Sequence, residues 1–184
     1  MDDNQAVLLC ANHRSLFDLI LAYMLLGSWG LPIRCLVNGK YFDTPGLGWL
    51  LRVTGCIPVL SGHGDEAIDE GIAILHANGC VGIMPEGRLI PPEERPTGVG
   101  PVRTGVGRLA ASVEAPVLVV GAANSDLVWP RNGVPRPHLR RPTVALRARV
   151  LPKLHGPAEA ARDAIVAAMI EVVAEAEAAA AAPR

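Results

Sequence analysis

Short apolar runs alternate with longer segments of helical period along most of the chain. Residues 6–11, Ala-Val-Leu-Leu-Cys-Ala, form an apolar run bounded by polar residues and read as a strand. It leads through Asn12-His13-Arg14-Ser15 into a helical pattern over 16–26. The alternation recurs, with strands expected at 33–37, 56–60, 80–84 and 116–120 and helices at 46–53, 65–77 and 103–113. Residues 143–151 alternate in the manner of an outer strand. Over 158–178, Ile165, Met169, Val172 and Ala176 share one face while Glu159, Asp163, Glu171 and Glu175 fall elsewhere, an amphipathic helix whose Ala-rich end should fray. Two stretches break the pattern, 85–101 with five prolines and 130–142. The first is too rich in turn formers to be regular and too long to be a simple connection, the kind of loop that often carries function. Strands alternating with helices over the whole length predict an α/β sandwich, a mostly parallel sheet flanked by helices, in a single domain spanning 1–184.

Composition narrows the function. Half of the 184 residues are hydrophobic, yet only three Trp, two Tyr and two Phe are present, so the core must be built from Ala, Val, Leu and Ile. That content excludes disorder as the main state. With 17 basic against 18 acidic residues the net charge is −1, and so little positive charge with so few stacking rings argues against a nucleic-acid partner. Lys40 and Lys153 are the only lysines, and the other basic residues are arginines, suited to planar contact with phosphate or carboxylate. Arg131, Arg136, Arg140, Arg141, Arg147, Arg149 and Lys153 follow one another without an acid, either a solvated arginine-rich stretch or a surface for anionic headgroups or an acidic carrier. Cys10, Cys35, Cys56 and Cys80 form no CxxC pair and read as buried reduced thiols. The start, Met1-Asp2-Asp3-Asn4, lacks the cationic segment of a signal peptide, so a cytoplasmic location is expected. The longest apolar stretch, 19–33, contains Gly27, Gly30 and Pro32 and falls short of the roughly 20 residues a bilayer needs.

His13 and Asp18 lie where the first strand turns into a helix, at the sheet edge where ligands of open α/β folds sit. A carboxylate accepting the imidazole Nδ1 proton fixes the tautomer and frees Nε2 to take a proton from a hydroxyl. Ser15-Leu16-Phe17-Asp18 also fits a helix capping box, which accounts for Asp18 with no chemistry. Gly105-Val-Gly107-Arg-Leu-Ala110, with Asp126 beyond it, has the shape of a dinucleotide fingerprint, but no strand precedes Gly105 and helix packing is the better reason for its glycines. His63, Asp65 and Glu66 cluster without a second histidine at ligand spacing, so they read as a polar turn and no metal is expected. Trp29, Trp49 and Trp129 fit partly buried anchors better than lipid-facing rings.

The block Asn12-His13-Arg14-Ser15-Leu16-Phe17-Asp18 resembles the N-H-x(4)-D block of the glycerolipid acyltransferases, the family of lysophosphatidic acid acyltransferase. Gly55-Cys-Ile-Pro-Val59 resembles the family's G-x-I-P-V segment, and Pro85-Glu86-Gly87-Arg88 its F-P-E-G-T-R-S segment. Gly100-Pro-Val-Arg103-Thr-Gly105 is similar to G-x-x-K-x-G, and Ala115-Pro-Val-Leu-Val-Val120 to the strand V-P-[IV]-V-P-V. Five ordered blocks cover 8–121, and the tail from Arg141 is compatible with the family.

The resemblance implies a glycerol-3-phosphate acyltransferase-like sandwich and an enzyme of phospholipid biosynthesis that needs no cofactor. His13 would deprotonate the hydroxyl of a lysophosphatidic acid-like acceptor, which attacks the thioester of acyl-CoA or acyl-carrier protein, while Asp18 orients the ring. No covalent intermediate is required, consistent with the lack of a G-x-S-x-G elbow. Glu86, Gly87 and Arg88 would help hold the acceptor, with Gly87 supplying a tight turn and Arg88 a fork for an anion. The bland alternative for Glu86 and Arg88 is a surface ion pair worth under about 1 kcal/mol. Residues 47–51 would line the acyl path. Two departures bear on phosphate: Ser61 stands where the family often has Arg, and the Thr between Gly87 and Arg88 is missing. Arg14 or Arg103 would then compensate, or the acceptor is a sugar, amino alcohol or specialised metabolite without phosphate. A thioesterase and a non-catalytic lipid or acyl-carrier binding domain remain as further readings. The chain begins almost at the first block, so contact with an anionic membrane is expected to be peripheral.

Overall fold

Val7–Ala11 (β1) is apolar and buried at every residue, which places it inside the sheet with strands on both sides. The structure, a computed structural model, describes residues 6–28, 30, 32–131 and 142–182. Its further strands are Ile33–Asn38 (β2), Ile57–Val59 (β3), Cys80–Ile83 (β4), Val117–Ala123 (β5) and Ala145–Leu151 (β6). Among the described residues they form one sheet in the order β3-β2-β4-β1-β5-β6, parallel throughout except for the antiparallel edge strand β6. The alternating exposure of β6 suits its place at that edge.

Helices Phe17–Gly27 (α1), Leu47–Val53 (α2), Gly64–His76 (α3), Gly105–Ala111 (α4), Ser125–Val128 (α5) and Ala158–Ala181 (α6) connect and flank the strands. Alternate residues along the strands serve opposite faces. Leu8, Cys10, Val81, Val117 and Val119 pack with Ile68 of α3, Leu109 of α4 and Ile165, Met169 and Val172 of α6. Val7, Leu9, Ala11, Leu118 and Val120 pack in a second cluster with Leu51 of α2 and the α1 residues Leu19, Tyr23 and Leu25. The result is the predicted α/β architecture, with α6 presenting the apolar face read from its period and remaining helical to Ala181.

The differences are local. β5 runs three residues further than expected, to Ala123, and α4 is shorter, 105–111 against 103–113. Short 3-10 turns at Gly39–Asp43 and Pro92–Glu94 and the four-residue α5 were not anticipated, because single turns leave no periodic signal. Arg136, Arg140 and Arg141 lie outside the described residues. In the described part of that basic run, Arg149 pairs with Glu171 and Glu175 of α6 and Lys153 with Glu114, so acids distant in sequence neutralise them. All four cysteines are buried and unpaired, and burial pushes the Cys10 and Cys35 thiols up. No helix among the described residues is long and apolar enough to cross a membrane.

Candidate active site

Two central strands deliver the site. Where β1 ends, the buried Asn12 pairs with β5, its Nδ2 donating to the Ala122 carbonyl (3.0 Å) and its Oδ1 accepting from the Ala122 amide (2.8 Å). One side chain thus continues the strand ladder and fixes the exit of the chain into His13. The His13 ring keeps 18% of its surface exposed, whereas Asp18 behind it keeps 2%, and Nδ1 lies 3.2 Å from Asp18 Oδ2. That oxygen also accepts the amides of Arg14 and Ser15, each at 2.7 Å. Ser15 Oγ accepts from the Phe17 amide and donates to the Trp129 carbonyl. The capping and catalytic readings of Asp18 are therefore not alternatives. The oxygen that ties down the start of α1 is held still by that work and meets the imidazole from a fixed direction. A carboxylate only accepts, so Nδ1 carries the proton and Nε2 presents its lone pair.

β4 is parallel to β1 with Cys10 opposite Ile83. Continuing that register three residues puts Glu86 opposite His13. Glu86 is buried, and its two oxygens accept the His13 amide and the Gly100 amide, the latter at 2.6 Å. Burial pushes its carboxyl above the usual glutamate range, and the two amides oppose the shift. The Ile90 amide donates to the His13 carbonyl at 3.3 Å, so the residue is held on both sides of its peptide unit. Gly87 sits at φ +69, and a Cβ there would lie 2.5 Å from Arg103 Nε, so the Arg103 side chain rests on the bare backbone of the turn. The Arg103 amide in turn donates to the Pro85 carbonyl at 2.9 Å.

The fold therefore gathers His13, Asp18, Glu86, Gly87 and Arg103, and directs two other expected residues elsewhere. Arg88 is exposed and forms a surface ion pair, with Glu94 and not with Glu86, which is buried. Arg14 is buried, and its guanidinium is engaged by Glu177 and the Gly98 carbonyl. Glu86 meets neither arginine fork; its partners are backbone amides. Of residues 47–51, Leu51 is in the core while Trp49 and Leu50 are exposed. Trp49 is not the partly buried anchor expected, Trp129 is half-buried, and Trp29 lies outside the described residues. A small apolar cavity of about 20 Å³, room for a water molecule, lies instead under α1 between Leu21, Ala22, Leu25, Val120 and Leu146, with Asp18 at its wall. Asn12 and Glu177 are the participants whose roles sequence reasoning missed. His63 pairs with Glu66 on the surface, and no metal-holding cluster occurs among the described residues.

An imidazole braced by a buried carboxylate, at the carboxyl ends of the central strands of an α/β sheet, has the arrangement that general-base activation of a hydroxyl requires. The model of the Acyltransferase family matches residues 1–122, and the chain belongs to that family, the glycerolipid acyltransferases. Its domain is one of acyl transfer. No curated protein matches the chain closely enough to serve as a relative.

Proposed function

We propose that the chain transfers a fatty acyl group from acyl-CoA or acyl-carrier protein to the hydroxyl of a lysophosphatidic acid-like acceptor, with His13 as base and Asp18 as its orienter. The carrying observation is the 3.2 Å approach of His13 Nδ1 to a carboxylate oxygen that two backbone amides hold in place. Nε2 takes the acceptor's hydroxyl proton as its oxygen bonds to the thioester carbonyl carbon. The tetrahedral intermediate collapses, the C–S bond breaks, and the thiolate recovers the proton from the imidazolium, leaving an ester and a free thiol. No covalent enzyme intermediate and no cofactor enter this sequence. Gly87 and Arg103 flank the approach of the acceptor, and Glu86 sets the spacing between the two loops that form it.

A second reading keeps the chemistry and changes the acceptor. Arg88 and Arg14 are engaged with Glu94 and Glu177, and Ser61 stands where an arginine is common in the family, which leaves Arg103, without an acidic partner among the described residues, to meet a phosphate. Incubation with acyl-CoA and either lysophosphatidic acid or monoacylglycerol, followed by mass spectrometry, separates the two. Phosphatidic acid formation that disappears in His13→Ala supports the first reading, and preference for monoacylglycerol the second. Free fatty acid alone indicates a thioesterase. Thioester loss that is absent, or indifferent to His13→Ala, supports a non-catalytic binding domain. We also propose peripheral contact with an anionic membrane from the cytoplasmic side, through the exposed apolar face of α1 and α2.

A further inference from the structure

The residue that follows the base reaches into the last helix. The Arg14 side chain is 7% exposed, and its Nη2 donates to Glu177 Oε1 on α6 and to the Gly98 carbonyl at 3.2 Å. Gly98 has φ +78, and a Cβ built there would lie 2.6 Å from Val173 Cγ1, 3.2 Å from Arg14 Nη2 and 3.4 Å from Glu177 Oε1. The active-site loop, the proline-rich loop and α6 thus meet at one point. Glu177 stands one helical turn beyond the fully buried Val173 and reaches over the rim of the helix from a fixed base. α6 lies wholly outside residues 1–122, the part matched by the family.

We propose that Glu177 is a positioning residue for acyl transfer: by anchoring the Arg14 guanidinium it holds the His13–Ser15 backbone and the 98–100 turn at the spacing that sets His13 against Asp18. The proposal rests on His13 being the base. A buried guanidinium is costly unless its charge is answered, and among the groups it bonds only Glu177 carries charge; the Gly98 carbonyl is a dipole. Without Glu177 the side chain gains by turning towards water. That movement pulls on a residue whose own amide is bonded to Asp18, and it releases the turn that delivers the Gly100 amide to Glu86. Glu86 accepts the His13 backbone amide and Asp18 meets its ring, so both ends of the network close on the same residue.

The test compares the full-length wild type with Glu177→Ala and Glu177→Gln, the second keeping an acceptor oxygen. Hydrogen–deuterium exchange is read on peptides covering 12–18 and 96–101. Thiol release from palmitoyl-CoA is followed with 1-palmitoyl lysophosphatidic acid as acceptor. Positioning predicts faster exchange in those two segments alone in Glu177→Ala, with most protection recovered in Glu177→Gln. Turnover should show about a tenfold lower kcat at a KM changed less than about twofold, partly rescued in Glu177→Gln. Unchanged exchange at 12–18, or faster exchange spread along α6 with kcat per folded molecule intact, overturns the proposal. If the wild type does not consume the thioester, or His13→Ala consumes it equally, the acyl-transfer reading fails, and with it the catalytic sense of the proposal.

Discussion

Glu86 puts a carboxylate where both oxygens meet backbone amides instead of cations, and its titration follows from that surrounding. Burial raises its carboxyl, so the folded chain binds the proton more tightly than the unfolded chain does. The linked stability is complete below the ordinary glutamate range and is lost as pH rises through the raised value. Glu86→Gln does not titrate. The difference in melting temperature, wild type minus variant, should therefore be largest near about pH 4 and narrow towards about pH 8. A difference that widens with rising pH would mean that the two amides outweigh burial. At this scale the sequence is legible where two side chains five residues apart must meet, as with His13 and Asp18. It is silent where the partner is backbone, as for Glu86 and Asn12, because every residue type but proline carries an amide. It is equally silent where the partner lies 163 positions away, as Glu177 does from Arg14.

Helices and strands were readable because their apolar period had to match the face they bury. β1, β2 and α3 fall within a residue of the expected spans, and α6, which continues three residues past its expected end, presents Ile165, Met169, Val172 and Ala176 to the core as its spacing requires. Packing explains the fingerprint-like glycines at the start of α4. A Cβ on Gly107 would lie 2.0 Å from the Ala158 carbonyl oxygen and 2.9 Å from its carbon, and backbone at the first turn of α6 cannot step aside as a side-chain tip can. Gly107→Ala sets two effects against each other. Helix propensity favours alanine by about 1 kcal/mol, and overpacking against a fixed backbone costs typically about 1–3 kcal/mol. Contact inside van der Waals distance decides for the second. The variant should melt lower, by roughly 2–4 °C for each net kcal/mol lost, in thermal denaturation followed by circular dichroism. A variant that melts higher would show that α6 can slide off α4 at little cost.

For the molecule as a whole, the unusual feature is how much apolar surface α1 and α2 leave exposed. The Tyr23 hydroxyl meets Cys56 Sγ at 3.0 Å, which brings α1 against the turn that follows α2. On these two helices Met24 is 63% exposed, Trp49 67% and Val53 64%, with Ile20 and Leu50 less so. Arg34, Lys40 and Arg52, in the β2–α2 segment, are exposed as well. In the basic run of the sequence, Arg149 and Lys153 are paired within the chain, and Arg136, Arg140 and Arg141 lie outside the described residues. An exposed aromatic ring and exposed aliphatic residues, in a segment that also exposes cations, suit the interface of an anionic bilayer. Each apolar side chain moved out of water contributes about 1.5–3 kcal/mol when fully buried. Even partial insertion of two therefore amounts to a factor of about ten in partitioning. Co-sedimentation with vesicles of phosphatidylcholine and phosphatidylserine should capture the wild type, less so as salt rises. The double variant Trp49→Ser, Val53→Ser should bind about tenfold more weakly while keeping its thioester turnover in detergent solution. Equal sedimentation of the two proteins would remove this face from any role at a membrane and leave the site to work on acceptors dispersed in water.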